Sequence, residues 1–444
     1  MLRKLLPLFV IFLARAEQPL SLQDAVRTAL AKHPAAEASA AMLEAAGARV
    51  RQARSGYLPK VSYQEAWQRS NNPVFVFSSL LTQHQFREEN FAVGQLNRPE
   101  SINNFQSQLV LDQRIWDGGR RRSEVRSAEL GREISAEDDR RTRMNLVAGV
   151  VRSYHGTALA RESLEVARQA VRSAEADLTR ADAVRAAGMS TDADVLSIRV
   201  HLGAMREQEI RRVYELDVAW AALNDALGLP LDTRHALVTP LAMIATTDLD
   251  VTVLEKRALE ERPEMRQSRD AARLAEWQRT GARAALLPQL SLRAVFEADR
   301  QTFATRGGAN WFAGATLHWS FFNGFADRAR IEEAAHTLRA AEARGARTSS
   351  GVRLEVRRAW ADLQASGERV AVASSVVAMA EESARITKNR YEAGLSTVTE
   401  LLRSETALLE ARTRRLAAAY DQRVAAANLE LATGALSGDS DVLK

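Results

Sequence analysis

Residues 390–402 read Arg-Tyr-Glu-Ala-Gly-Leu-Ser-Thr-Val-Thr-Glu-Leu-Leu, and this stretch decides the architecture. It is the turn of a long helical hairpin that occupies 323–434. On the ascending side Val356, Trp360, Leu363, Gly367, Val370, Ala373, Val377, Ala380, Ala384 and Thr387 follow one another at steps of 4 and 3. A seam of period 3.5 held over this many turns marks a coiled coil. After the turn Gly394-Leu395-Ser396-Thr397, the descending side keeps the rhythm through Leu402, Thr406, Leu409, Thr413, Leu416 and Tyr420. Most seam residues are small, so neighbouring helices can approach closely. The flanks are rich in Arg and Glu, as solvated coiled-coil faces are.

The hairpin occurs twice. At an offset of about 206 residues, the period of an internal repeat, the seam returns as Val150, Tyr154, Thr157, Arg161, Leu164, Ala167, Val171, Ala174, Leu178 and Ala181. The turn returns as Gly188-Met189-Ser190-Thr191, Tyr214 answers Tyr420, and Gly228 answers Gly434.

Composition fits long helices. The chain has 444 residues, 46% apolar, with only 22 Gly and 10 Pro. The formal charge is +5, and basic residues are interleaved with acids, a poor footprint for nucleic acid. There is no cysteine, which excludes disulfides and thiolate metal sites and suits an oxidising compartment. Residues 1–16 read as a cleavable signal peptide: Arg3 and Lys4, an apolar core over 5–13, then Ala14-Arg15-Ala16. The apolar run is far short of the roughly 20 residues that span a bilayer as a helix.

Beyond the leader, 21–32 reads as a short amphipathic helix capped by Ser21, and Pro34 opens a second helix to about residue 55. This unit repeats at an offset of about 229, where Leu30, Pro34, Arg54, Pro59 and Ser62 are answered by Leu259, Pro263, Arg283, Pro288 and Ser291. The first copy therefore carries an insertion. Between helices the period changes to two. Strands are expected at about 58–69, 104–116, 289–299 and 310–322. Val61, Tyr63 and Trp67 alternate with Ser62, Gln64, Ala66 and Gln68, with Glu65 breaking the apolar face. Trp311, Ala313, Ala315, Leu317, Trp319 and Phe321 alternate with Gly314, Thr316, His318 and Ser320. Strands of about ten residues, apolar on one side and aromatic near their ends, are the signal of a transmembrane β-barrel. A half-buried soluble sheet fits each strand taken alone. Four strands cannot close a barrel wide enough to be a pore, and open edges in lipid cost several kcal/mol per unpaired group. Strands that enter a membrane here must share one barrel among several chains, as a closed ring of identical subunits does.

The order of elements, their duplication, the leader and the Gly-(Leu/Met)-Ser-Thr tips, the second preceded by Tyr391 in a Tyr-x-x-Gly, together resemble the TolC family of outer-membrane efflux channels. The resemblance covers essentially all the mature chain. It implies a mainly α fold with a transmembrane β part: a homotrimer whose 12-stranded barrel is continued by a 12-helix coiled-coil tunnel across the periplasm. The first repeat would occupy 17–226 with its hairpin at 117–226, an equatorial linker 227–250, the second repeat 251–434 with its hairpin at 323–434, and a tail 435–444. As one helix, 117–185 would be about 100 Å long.

The implied function is a passive exit duct of a tripartite efflux or type I secretion system. A periplasmic adaptor (membrane fusion) protein and an inner-membrane RND or ABC transporter would open it. Gly188, Met189, Ser190 and Thr191, with Gly394, Leu395, Ser396 and Thr397, match the family's adaptor-contacting tips. Glu400 matches an acid of the family's constricting ring; the second such position is Arg403, where this chain departs from an acid. Asp194 is the first-repeat equivalent of Glu400, and Tyr391 matches a tyrosine that helps hold the closed state. A solvated helix-surface charge is the other reading of Glu400.

The insertion, about 70–104, contains Val74-Phe75-Val76-Phe77 and Leu80-Leu81. It would pack against the barrel rim, fold into its mouth or form a partner patch. The seven histidines make no metal-ligand spacing. No nucleophile elbow, Walker loop, zinc-protease or dinucleotide motif is present, so neither catalysis nor a cofactor is expected. The competing class is a soluble periplasmic coiled-coil scaffold or adaptor, which leaves the four aromatic-ended strands unexplained.

Overall fold

The computed structural model describes residues 18–244, 250–305 and 307–443. The expected leader, 1–16, lies outside them. Chain order is β1 (Gln18–Leu20), α1 (Leu22–Lys32), α2 (Pro34–Arg54), β2 (Lys60–Ser70), α3 (Pro73–Thr82), α4 (Val93–Asn97), β3 (Ile102–Trp116), α5 (Arg120–Ala186) and α6 (Asp192–Leu227). It continues with β4 (His235–Leu237), α7 (Val251–Glu261), α8 (Pro263–Arg283), β5 (Gln289–Arg300), β6 (Gly308–His318), α9 (Ala326–Glu392) and α10 (Val398–Thr433). No described helix is long and apolar enough to cross a membrane. The chain forms two units, and α5 and α9 contribute residues to both.

The first unit holds the described residues of Met1–Ala41, Glu137–Arg266 and Ala346–Lys444. Its largest core gathers Leu22, Val26, Val150, Val151, Tyr154, Leu223, Leu227, Leu436 and Leu443. Tyr154 is fully buried; its hydroxyl donates to the Leu20 carbonyl at 2.8 Å and accepts from Thr239 N–H at 3.0 Å. That tyrosine therefore ties β1, which pairs in parallel with β4, and Thr239 just after β4 to the coiled coil. A second, smaller core joins Leu254, Ala258, Val352, Val356 and Leu429.

The seam on α9 is as the period demanded: Val356, Val370 and Val377 are buried, and the positions between are mostly exposed. On α5 the corresponding Val150, Leu164, Val171, Ala174 and Ala181 are buried. On α10 the expected Leu409 is buried, but burial also extends beyond the expected seam. Leu401 is fully buried where Leu402 was expected, and Ala411, Ala418 and Ala419 are buried while Leu402, Thr406 and Tyr420 are half-buried. Several helices cover α10, so its buried arc is wider than one seam.

The second unit holds Met42–Ala136 and Gln267–Gly345. Its centre is one antiparallel sheet in the order β2-β3-β5-β6, the middle pair joining the two repeats. The last strand stops at His318, short of the expected 322. Its partner β5 begins at Gln289, which pairs with His318, so the ladder has nothing to continue on. Trp319 instead donates through Nε1 to the Leu286 carbonyl at 3.1 Å.

Candidate functional site

The sheet register decides what each strand pattern means. Tyr63 pairs with Leu109, Leu109 with Phe296, and Phe296 with Trp311. Val61, Leu111, Ala294 and Ala313 form the next row of the same face. Side chains alternate in phase across paired strands, so every apolar set lands on one side. That side is bare: Trp311 is 79% exposed, and Tyr63, Trp67 and Phe296 are exposed too. The opposite face carries the rows Gln64–Gln108–Glu297–Asn310 and Ala66–Gln106–Asp299–Gly308. Gln108 donates to Glu297 at 2.6 Å, and Asn104 donates to Asp299 at 2.6 Å.

Glu65 interrupts the apolar face, and Arg300 neutralises it. Arg300 Nη2 lies 3.0 Å from Glu65 Oε1, and Tyr63 and Ser107 donate hydroxyls to Glu65 Oε2 at 2.6 and 2.5 Å. Arg300, 235 residues away in sequence, gave no signal of this partnership. Where strands pass into helices, Trp116, Trp319, Phe321, Phe322 and Phe325 are exposed. Beneath them the buried Arg121 donates to the carbonyls of Arg114, Ile115 and Gly56 and to Asp117 Oδ2 at 2.8 Å.

The hairpin tips are near copies. Gly188 and Gly394 take φ of +76° and +71°, a region costly for residues with a Cβ. Thr191 and Thr397 then cap α6 and α10 in capping boxes whose third helical residues are Asp194 and Glu400. Both candidate gate acids are thus engaged locally. Asp194 Oδ2 accepts from Thr191 Oγ1 at 2.8 Å, and Glu400 Oε2 accepts from Ser396 Oγ and from Thr397 N–H at 3.4 Å. These bonds hold both carboxyls below their usual range, the Thr191 hydroxyl leading for Asp194 and the Ser396 hydroxyl for Glu400. Arg403 is exposed beside Glu400, adding a further lowering. Tyr391 packs with Ala181, Val195, Ile198, Val398 and Leu402, so its ring joins both hairpins. Burial, then the charges of Asp194 and Asp177, raise its phenol.

One turn deeper the hairpins are tied by a polar cluster that sequence patterns did not show. Lys388 Nζ lies 2.9 Å from Asp177 Oδ1, Ser173 donates to Glu405 at 3.0 Å, and His201 Nε2 lies 3.6 Å from Glu405. Burial and then Glu405 push Asp177 up to about 6. For Glu405 burial acts upward, but bonds from His201, Asp177 and Ser173 outweigh it and leave the group below its ordinary value. Nearer the largest core, burial and the charge of Arg423 hold His155 down at about 4, and neither ring nitrogen has a hydrogen-bond partner among the described residues. No group of metal-ligating side chains occurs among the described residues.

Sequence reading also missed a second stripe. Leu196, Val200, Ile210, Tyr214 and Val218 on α6 are all exposed, Val200 by 75% and Val218 by 70%. On α9, Val372, Val376, Met379 and Ile386 are exposed at steps of coiled-coil kind. Among the described residues α5 and α10 expose no large hydrophobic side chain. The signal was present as a second apolar phase beside the first seam.

An amphipathic strand sheet and duplicated coiled-coil hairpins define a subunit of an outer-membrane channel. Residues 25–229 and 254–435 match the family described as outer membrane efflux protein. The chain is 26% identical to protein CyaE of Bordetella pertussis, over 94% of this chain and 84% of that one. It is 25% identical to the alkaline protease secretion protein AprF of Pseudomonas aeruginosa, over 96% and 87%. Its fold matches the crystal structure of the Campylobacter jejuni CmeC outer membrane channel with a TM-score of 0.80, at 18% identity, over 95% and 87% of the two chains. The chain belongs to the outer membrane efflux protein family. It is an exit channel of the outer membrane that extends into the periplasm.

Proposed function

We propose that the chain works as a homotrimer, a passive duct opened at its hairpin tips by a periplasmic adaptor and an inner-membrane transporter of a tripartite efflux or type I secretion system. The observation that carries this reading is the sheet: one face largely apolar and bare, the other mostly polar, with β2 and β6 each at an edge. In lipid those edges must pair, and pairing β6 of one copy with β2 of the next closes a ring. Three copies would give a 12-stranded barrel, its apolar face toward outer-membrane lipid. The bare stripes of α6 and α9 supply matching contacts between copies along the helices. The name of one relative, the alkaline protease secretion protein AprF, supports secretion as the duct's role. In this reading the chain performs no catalysis and its partners provide the energy.

At the tips, Gly188–Thr191 and Gly394–Thr397 would receive the adaptor. Glu400, with Asp194, would form the acidic constriction, its charge partly offset by Arg403, and Tyr391 would hold the closed packing. The test is outer-membrane fractionation, oligomer mass and planar-bilayer conductance of the purified protein. A stable trimer with single-channel steps is expected, and Glu400→Ala should change conductance or ion selectivity. A soluble monomer without channel activity would overturn the duct; unchanged conductance in Glu400→Ala would remove only the gate assignment.

A further inference from the structure

The two strand connections at the end of the sheet away from the long helices are unequal. The β5–β6 connection covers 301–307, whereas the β2–β3 connection covers 71–101 and contains α3 and α4. α3 is well specified. Asn72 caps it, accepting from Val74 and Phe75 N–H at 3.0 and 3.2 Å, and Pro73 occupies its first turn. Its sequence, Pro-Val-Phe-Val-Phe-Ser-Ser-Leu-Leu-Thr, is apolar enough to sit against lipid, yet it sits on the other side.

The bonds that α3 and the residue following it make to the sheet go to the polar face. Thr82 C=O accepts from Asn310 Nδ2 at 3.1 Å. Gln83 Nε2 donates to Asn103 C=O and Asn104 Oδ1, both at 2.9 Å, and Asn104 passes the chain on to Asp299. Asn104, Asp299 and Asn310 share the polar face by register. Gly308 shows how close the approach is: a Cβ there would lie 1.9 Å from the Thr82 carbonyl oxygen. Val76, Ser79 and Gln83 are buried against this face. At steps of 3 and 4 on the opposite side of the helix stand Val74, Phe77 and Leu81, of which Val74 is 76% exposed. Phe77 is braced edge-on by Phe86 at 5.0 Å, and Phe86 by Phe91 at 5.1 Å.

We infer that α3 is a built-in constriction of the duct's outer mouth, docked on the conduit face of the sheet and turning an apolar stripe of Val74 and Leu81 toward the passage. The inference rests on the barrel reading above, which makes the polar face the inner one. It gives 71–101 a selective role. Hydrated ions and polar solutes meet an apolar ring, which hinders them by excluding water, while apolar or partly unfolded cargo meets a surface it can wet. Gln83 is the positioning residue, since it links the helix to two strands through Asn104 and Asp299.

The natural absence of cysteine makes the test direct. Thr316→Cys places a thiol on the polar face, Leu317→Cys one on the apolar face, and Met189→Cys one at a tip. Intact cells are treated from outside with membrane-impermeant maleimides of graded size, using reagents that leave Met189→Cys unlabelled. Replacing 71–101 by an Asn-Gly turn should raise labelling of Thr316→Cys at least tenfold and admit larger reagents. Leu81→Glu in the otherwise unaltered chain should raise labelling by a small charged maleimide several-fold, which covers the case in which the shortened chain does not assemble. Unchanged labelling in Leu81→Glu, with its oligomer intact, overturns the constriction and leaves the barrel standing. Equal labelling of Thr316→Cys and Leu317→Cys in the parent removes the assignment of the inner face, and both readings fall.

Discussion

The two hairpins share their seam, their tip and their caps, yet their descending helices stand in opposite surroundings. On α6, Ile210, Tyr214 and Val218 are exposed; on α10 their counterparts Leu416, Tyr420 and Val424 are half-buried. The side chains are of the same kinds, so hydrophobicity does not explain the difference. What covers α10 includes the linker: Gln422 exchanges hydrogen bonds with Ile244 N–H and C=O at 3.1 and 2.8 Å, and Arg423 donates to Ala242 C=O at 2.8 Å. α10 also carries buried alanines at 411, 418, 419, 425 and 427, which let neighbours approach closely. A duplicated apolar stripe was thus kept in both halves but is covered within the chain in only one. The uncovered stripe is the place to look for a second copy.

The largest effects should break this asymmetry. Tyr214→Glu with Val218→Glu places charge on the bare stripe, and should abolish the oligomer in mass measurements while leaving helix content by circular dichroism intact. Tyr420→Glu with Val424→Glu should instead cost the chain its folded state. If both pairs only weaken folding, the α6 stripe is no contact between copies.

Next in size is the pair of buried residues just past the tips. Leu401 and Val195 occupy equivalent positions and are almost fully buried. Leu401→Ala should destabilise by about 3 kcal/mol and Val195→Ala by roughly half of that, since fewer methyl groups are removed. Denaturant midpoints check the order, and a reversed order would mean that the second tip is the looser one.

Two titrations act in opposite senses. The pKa of His155 is lowered from 6.5 to about 4, so the unfolded chain binds the extra proton. Stability is whole above pH 6.5 and falls toward pH 4, by up to about 3 kcal/mol; His155→Leu should flatten that limb of a stability-against-pH curve. Asp177 is raised from 3.8 to about 6, so its contribution is whole below 3.8 and is lost as pH rises through 6. Protease nicking near the tips should therefore increase from pH 5 to pH 7, and Asp177→Asn should remove the trend. The smallest effects are expected at the caps: Thr191→Ala and Thr397→Ala should each cost about 1 kcal/mol, and nearly the same amount, because the two capping boxes are alike.

Much of this was legible in advance, because the informative patterns are local. Period 3.5, period two, a Gly-x-Ser-Thr tip and a repeat at about 206 residues each report backbone geometry that neighbouring residues impose. The strand faces, the ascending seams and the paired tips follow from those periods. The bonds of Asp194 and Glu400 to their own caps are equally local, since an acid three residues past a threonine closes a capping box.

By itself the sequence determined the kinds of element, their order, their duplication and the two chemically different sides of every strand. Which distant residues meet on those sides is settled by packing. Arg300 neutralises Glu65, Lys388 meets Asp177, the insertion helix docks on the polar face through Asn104 and Gly308, and α6 rather than α10 keeps its stripe bare. The physical reason is that periodicity is set by bonds within a segment, whereas register and covering are set by the packing of segments hundreds of residues apart.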